Sequence, residues 1–387
     1  MSAMRMFGPL AVVVMAASSS CTIEPPLHLP AETVVVDLPI VITDLEVVWG
    51  TDVNWQSEWF YPWEQEDVDR WGELAYPMPR SYELRRYFLG EQPGAPHTTV
   101  DGTTLLNTTY RSRYNFGYYD LLAWSNIYSE DQTQVVVIDD SNLDYVWATT
   151  TRSRYPLSIP ALKDQPLPHN HPEIFYSAYE QDIHISHDPA DYDYFDQAEN
   201  VWVKHLKCEM QPLVYIYLVQ VVVRNNVDGL IVGPSQSTVL SGVASGVNVT
   251  TGATVHESTN VIFDMRMKTD LPYRDGARAD IMGGKLTTFG LCDMPSWSAS
   301  RGKSFAGRAD VDNYMMVGLH FSNGADSTYT YEVTEQMRRQ PHGGIITIEI
   351  AADTITVPVS PGGGGGGSMF DPSVNPYDPE EPTEIEI

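Results

Sequence analysis

The chain reads as all-β, built from short strands that pack as sandwiches, and three observations carry that reading. Runs of β-branched and aromatic residues recur along its 387 residues, and each is closed by Gly, Pro, Asn or Asp. Helical periodicity is confined to an acidic stretch at 64–74 and to 235–244, where β-branched residues argue against a helix. The strongest apolar run, LVYIYLVQVVV at 213–223, has eleven residues and includes Gln220. A membrane-spanning helix needs about twenty, so this run is a buried strand.

In chain order the first half offers strands at 33–36, 40–49, 114–125, 134–138 and 144–150. The second offers 201–207, 213–223, 238–243, 260–267, 285–291, 314–321, 329–333, 344–350 and 354–359. Residues 166–196 carry prolines and few alternating runs, and read as loop-rich. The length supports two domains at roughly 150 residues each, and the best boundary lies near Cys208. The expected layout is therefore a sandwich over 34–207 and a second over 208–361. Six consecutive glycines at 362–367 then open a hinge, followed by a proline-rich piece. The last five residues, Thr-Glu-Ile-Glu-Ile, alternate so that Ile385 and Ile387 share one face. That pattern suits either a detachable terminal strand or a frayed end.

The start of the chain bears on compartment. Arg5 precedes an apolar run at 7–17, then Ser18, Ser19, Ser20 and Cys21. This has the form of a secretory signal over 1–20. Small residues before a cysteine are similar to the lipobox of bacterial lipoproteins, in which the cysteine receives acyl chains. Ser18 stands where such boxes usually carry Leu, and the alternative is an ordinary secreted protein cut near Ser20. Under the lipoprotein reading, residues 21–33 form an extended tether from lipidated Cys21, and attachment to the outer membrane runs through acyl chains alone. Only Cys208 and Cys292 then remain, either as one disulfide or as two separate buried thiols.

Charge narrows the partners. Asp and Glu number 51 against 23 Lys and Arg, a formal net charge of −28. A field of that sign repels phosphate backbones, so nucleic acid is not an expected partner. No G-x-S-x-G, P-loop or G-x-G-x-x-G motif is present, and the sequence indicates neither an enzyme nor a cofactor. His169, His171, His184, His187 and His205 cluster in sequence, but no Cys or HExxH framework accompanies them, so no metal site is assigned. Trp55, Trp59, Phe60, Tyr61, Trp63 and Trp71 are interleaved with acids. Exposed rings of this kind could stack on sugars, with Trp55, Trp59 and Trp63 as glycan contacts; buried, they would cap one end of the first sandwich.

Several stretches together resemble a known group. VVVDLPIVITDLEVVW at 34–49, YNFGYYDLLAWSN at 114–126, PLVYIYLVQVVVRNN at 212–226, STVLSGVASGVNVTTG at 237–252, TTFGL at 287–291 and YEVTEQMRRQPHGGIITIEI at 331–350 look like the fimbrillin-type surface lipoproteins of Bacteroidales. Within them, they look like a large uncharacterised lipoprotein family. The glycine hinge with its isoleucine-ended tail has the same look. The resemblance implies two tandem transthyretin-like β-sandwiches and a fimbrial or adhesive role at the cell surface. It also implies pairing with other fimbrial subunits, or with itself, through strand addition. In polymerising fimbrillins an Arg-specific protease frees an N-terminal strand; Arg70, Arg80, Arg85 and Arg86 are the corresponding candidates here. Asp-Ser-Thr at 326–328 and Asp-Thr-Ile at 353–355 resemble the short O-glycosylation sequons of the same bacteria. The alternative function is a monomeric glycan-binding surface lipoprotein.

Overall fold

The computed structural model describes residues 34–41, 58–77, 79, 81–106, 109–126, 135–138, 142–152, 168–206, 208–235, 238–295 and 310–359. Cys21, Trp55, Arg80, the glycine hinge, Ile385 and Ile387 lie outside them. The fold is all-β. In the first half, Ser81–Gly90 and Gly117–Asn126 are central strands of an antiparallel sheet, flanked by Thr99–Leu105 and Tyr176–Ile185. A second sheet gathers Thr109–Tyr114, Val201–His205 and Cys208–Glu209 around Val34–Val41.

The second half is a sandwich. One sheet orders Arg266–Pro272, Arg278–Thr288, Tyr215–Arg224 and Gly344–Ala351. The facing sheet is built on Tyr314–Phe321, which carries Asp326–Glu332 on one side and Ile231–Pro234 with Thr238–Ala244 on the other. Between them lies a core that includes Val219, Val221, Met282, Val317, Phe321 and Ile346.

Tyr215–Arg224 explains its own sequence. Tyr215, Tyr217, Val219, Val221 and Val223 point into the sandwich core. On the opposite face, Ile216 and Leu218 join the core of the first half, while Val222 lies under Tyr61 in a separate cluster. A strand covered on both faces has no polar side to show. Its one polar interior residue, Gln220, is fully engaged. It accepts from Phe60 N–H at 2.9 Å and donates to Glu58 O at 2.5 Å and Thr347 Oγ1 at 2.9 Å.

The two halves are laced together on both sides of residue 208. Gly246–Asn248 pairs with Trp147–Thr150, and His169–Asn170 pairs with Val261 and Ile262 of Ser258–Phe263. Two expectations are corrected. The region 166–196 contains Tyr176–Ile185, a ten-residue strand. Residues 354–359 form no strand; a 3-10 turn at Ala352–Thr354 is followed by irregular chain. The stretch 235–244 resolves as strand Thr238–Ala244, as its β-branched residues argued, and 64–74 holds the helix Gln65–Trp71.

Candidate strand-pairing site

Edges are where a β-protein meets other strands, because their outer N–H and C=O groups lack partners. In the second half the edges differ sharply. Arg266–Pro272 is interrupted by a register shift between Lys268 and Leu271 and ends in proline. Gly344–Ala351 is sealed by side chains. Gln340, just beyond the helix Thr334–Arg339, accepts from Ile345 N–H at 2.7 Å and donates to Ile345 O at 2.9 Å. Gln336, four residues earlier, does the same to Thr347 at 2.9 and 3.0 Å. The two primary amides therefore stand where a neighbouring strand's peptide groups would be. Gly344 makes room for this, since a Cβ there would run into the Gln340 amide.

Asp326–Glu332 is different. It pairs with Tyr314–Phe321 in unbroken register over seven residues. Phe321 N–H donates to Ala325 O and Val333 N–H to Asn313 O, both at 2.9 Å, so the odd-numbered residues bond inward. In an antiparallel ladder bonded and non-bonded pairs alternate. The backbone groups of Asp326, Thr328, Thr330 and Glu332 consequently face outward, and no strand pairs with them among the described residues. Tyr329 and Tyr331 turn their side chains to the rim of the core, half-buried. The chain returns to this edge after Gly344–Ala351: Tyr329 OH donates to Thr356 O at 3.4 Å and Asn323 Nδ2 to Pro358 O at 2.8 Å. The Asp-Ser-Thr triplet at 326–328 begins this strand.

The aromatic segment reaches both halves. Trp59 packs against the core of the first half, and residues 58–63 lie across the outer face of the second sandwich's sheet. Phe60 meets Tyr273 edge-on with centroids 4.7 Å apart, and Arg274 pairs with Glu58 at 2.7 Å. Tyr61 sits over Gly283, where any Cβ would enter its ring. Its hydroxyl donates to Asp67 at 2.9 Å, and Lys268 Nζ donates to the same carboxylate at 2.7 Å. Burial opposes ionisation of Asp67, but bonds from Lys268, the Glu64 N–H and Tyr61 outweigh it and hold its pKa below the ordinary carboxylate value. Trp59 and Trp63 are half-buried, with ring centroids 6.5 Å apart.

Cys208 and Cys292 are both buried and are not joined to each other, the arrangement of the second sequence reading, two separate buried thiols. Burial pushes the Cys208 thiol up to about 12. The histidines are dispersed: His169 bonds Thr259 and His171 bonds Thr287, whereas His184 stacks on Tyr118 and His187 packs on Phe116. Among the described residues no group of three or more His, Cys, Asp or Glu is placed to hold a metal, and no helix is long and apolar enough to cross a membrane. Arg85 and Arg86 lie inside Ser81–Gly90, a strand paired on both sides, with their guanidinium groups 4.9 Å from the Trp124 and Tyr114 ring centroids. Arg70 is half-exposed and pairs with Asp264 at 3.2 Å.

No protein-family model and no curated protein matches the sequence. Among solved structures the chain is similar to a candidate adhesin from Bacteroides ovatus, at 14% identity and TM-score 0.48, covering 86% of this chain and 95% of that one. It is also similar to a candidate cell adhesion protein from Bacteroides eggerthii, at 10% identity and TM-score 0.41, covering 84% and 90%. A third is the fimbrial anchor protein Mfa2 from Porphyromonas gingivalis, at 12% identity and TM-score 0.36, covering 82% and 90%.

Proposed function

We propose that this chain is a non-enzymatic cell-surface protein of fimbrial or adhesive type, held to the outer membrane through acyl chains on Cys21, which joins subunits by β-strand addition. The observation that carries it is the contrast between two edges of one sandwich. Gly344–Ala351 is closed by Gln336 and Gln340, while Asp326–Glu332 presents a regular seven-residue edge with outward backbone groups at Thr328 and Thr330. An edge of this length gives an incoming extended segment main-chain hydrogen bonds that make little demand on its sequence. The acidic surface and the signal-like start with its cysteine support a place at the cell surface.

Thr328 and Thr330 supply the test. Their N–H groups point away from the sheet, so proline there removes donors that no strand among the described residues uses. The Thr328→Pro/Thr330→Pro protein, purified from its host envelope, should keep its cooperative melt. Ladders, filaments or co-purifying subunits seen with the natural chain should disappear. Unchanged assembly would overturn this edge as the joining site. A natural chain that stays monomeric and is retained on a glycan array would favour the glycan-binding alternative.

A further inference from the structure

We propose that the first half carries a binding platform for uncharged, extended oligosaccharides. It is a strip of rings that runs from Tyr118 and His184, past Lys204 and Tyr192, to Trp202 and Phe195. The proposal deepens the adhesive part of the reading above by giving it a ligand class, and it stands apart from the strand edge of the second half.

Strand register makes the strip. Tyr118 and His184 are direct partners across Gly117–Asn126 and Tyr176–Ile185, and their rings stack with centroids 4.4 Å apart and 10° between the planes. Phe195 and Trp202 are direct partners across Tyr194–Asp196 and Val201–His205, with centroids 5.1 Å apart. Tyr192 joins the two pairs. Its ring lies 6.3 Å from Trp202, and Lys204 Nζ, 5.9 Å from the same ring, donates to His184 O at 2.9 Å. Side chains alternate along a strand, so Trp202 and Lys204 share one face of Val201–His205 while Val201 and Val203 are buried on the other. Trp202 and Phe195 join no core cluster among the described residues, and Phe195 is 40% exposed.

The rings are also held in place. Tyr192 packs on the core of the first half and donates its hydroxyl to Ser186 O at 2.6 Å. Asp196 fixes the turn that follows Phe195, accepting from Ala198 N–H at 2.9 Å and pairing with Arg111 at 3.1 Å. A ligand that lands on rings already ordered avoids the entropy of ordering them.

Chemistry selects the ligand. The C–H face of a sugar ring carries partial positive charge and packs on the electron-rich face of an aromatic ring, while its hydroxyls reach polar groups at the margin. The core of a protein interface is depleted of charged side chains. Here Tyr192 is flanked by Asp191 and Asp193 and stands beside Lys204, and the strip contains no aliphatic residue. A phosphate backbone or an acidic glycan meets the field of a chain of net charge −28. An uncharged glycan takes the stacking and the polar margin without that repulsion. Successive ring spacings of 5.1 and 6.3 Å suit neighbouring sugars of an extended chain rather than one isolated sugar.

The full chain should be retained on an array of neutral oligosaccharides and pass over acidic ones. Against the best-retained neutral oligosaccharide, Trp202→Leu and Phe195→Leu should each weaken binding by about tenfold, the loss of one stacked ring. Trp202→Tyr, which keeps a flat ring, should retain most of the affinity, and Trp63→Leu should leave it unchanged. Leucine keeps an apolar side chain on the hairpin, and the melting temperature reports whether each variant is folded. If Trp202→Leu melts early, Phe195→Leu at the exposed end of the strip decides. The proposal is overturned if the natural chain binds no neutral oligosaccharide, if it binds only acidic ones, or if affinity follows Trp63 instead of Trp202 and Phe195. Ladders or filaments should form equally from the natural chain and Phe195→Leu, so glycan binding and strand addition stand or fall separately.

Discussion

Gln340 and Ile345 form a closed two-bond pair in which a side-chain amide replaces the peptide group of a missing strand. Gln340 is only 5% exposed, and the groups it satisfies belong to a strand edge that would otherwise be bare. Gln336 repeats the arrangement at Thr347. Replacing either glutamine by leucine keeps most of the volume and strips both bonds. Each should destabilise the protein by about 1–3 kcal/mol, the usual penalty for stranding buried polar groups. Gly344→Ala should have a similar effect by expelling the Gln340 amide. Urea denaturation checks the loss, and light scattering should show new self-association through the opened edge.

The second prediction concerns the segment Glu58–Trp71, which is fixed to the second sandwich by Asp67. Lys268→Met leaves this fully buried carboxylate without its cation, a change that typically costs about 3–5 kcal/mol. Because the Asp67 pKa is depressed in the fold, its stabilising contribution is complete above the ordinary carboxylate range and is lost as pH falls through that range toward the folded value. The melting-temperature gap between the natural chain and Asp67→Asn should therefore be wide at pH 7 and narrow below about pH 4. A gap independent of pH would show that Asp67 acts only through shape.

The sequence made Tyr215–Arg224 and Tyr314–Phe321 readable because burial on one or both faces leaves a dense apolar record. Two long strands escaped for identifiable reasons. Ser81–Gly90 carries Arg85 and Arg86 in its middle, and their guanidinium groups lie over Trp124 and Tyr114 rather than marking a loop. Tyr176–Ile185 contains a bulge where Asp182 adopts φ 54°, its N–H held by Asp120 at 2.8 Å, and this breaks the two-residue period. The strand-pairing edge was not legible at all. Nothing in the sequence marks Gln336 and Gln340 as partners of a strand's backbone, and nothing in DSTYTYE says that it pairs on one side only among the described residues. Nor could the aromatic cluster at 59–71 announce that it packs some 200 residues away, against Lys268 and Tyr273.

Cys208 and Cys292 should behave as inert core thiols. Each is 1% exposed, and burial keeps Cys208 protonated throughout the physiological range. Mass spectrometry without reduction should find both free. A thiol reagent at neutral pH should label neither in the native protein and both in denaturant. Rapid native labelling of either would contradict the packing described above.

Anchoring is tested at Cys21. Cys21→Ser should move the protein from the detergent phase to the soluble envelope fraction, since two acyl chains give firm attachment where one binds only marginally. Unchanged partitioning would remove the lipid anchor from the proposal and leave the edge chemistry untouched.

The last prediction concerns Lys285, which is buried where the two halves meet. It is 9% exposed, its Nζ donates to Glu73 O at 2.5 Å, and burial lowers its pKa to about 8. An unfolded lysine holds its proton to about pH 10.4. Between those values the unfolded chain binds a proton that the folded chain has released, so this residue makes stability rise with pH. Below pH 8 both states are protonated, and the fold bears the full cost of a buried ammonium. Stability from this group should therefore increase by on the order of 2 kcal/mol between pH 8 and pH 9.5, at about 1.4 kcal/mol per pH unit. Ionising tyrosines oppose the trend at higher pH, because burial raises the pKa of Tyr76, Tyr215 and Tyr217. The informative quantity is thus the difference between the natural chain and Lys285→Met in urea midpoints across pH 7.5–9.5. The difference should shrink as pH rises, with the variant the more stable at the acid end. A constant difference would mean that Lys285 keeps its proton in the fold, and that the junction between the halves tolerates a buried cation at little cost.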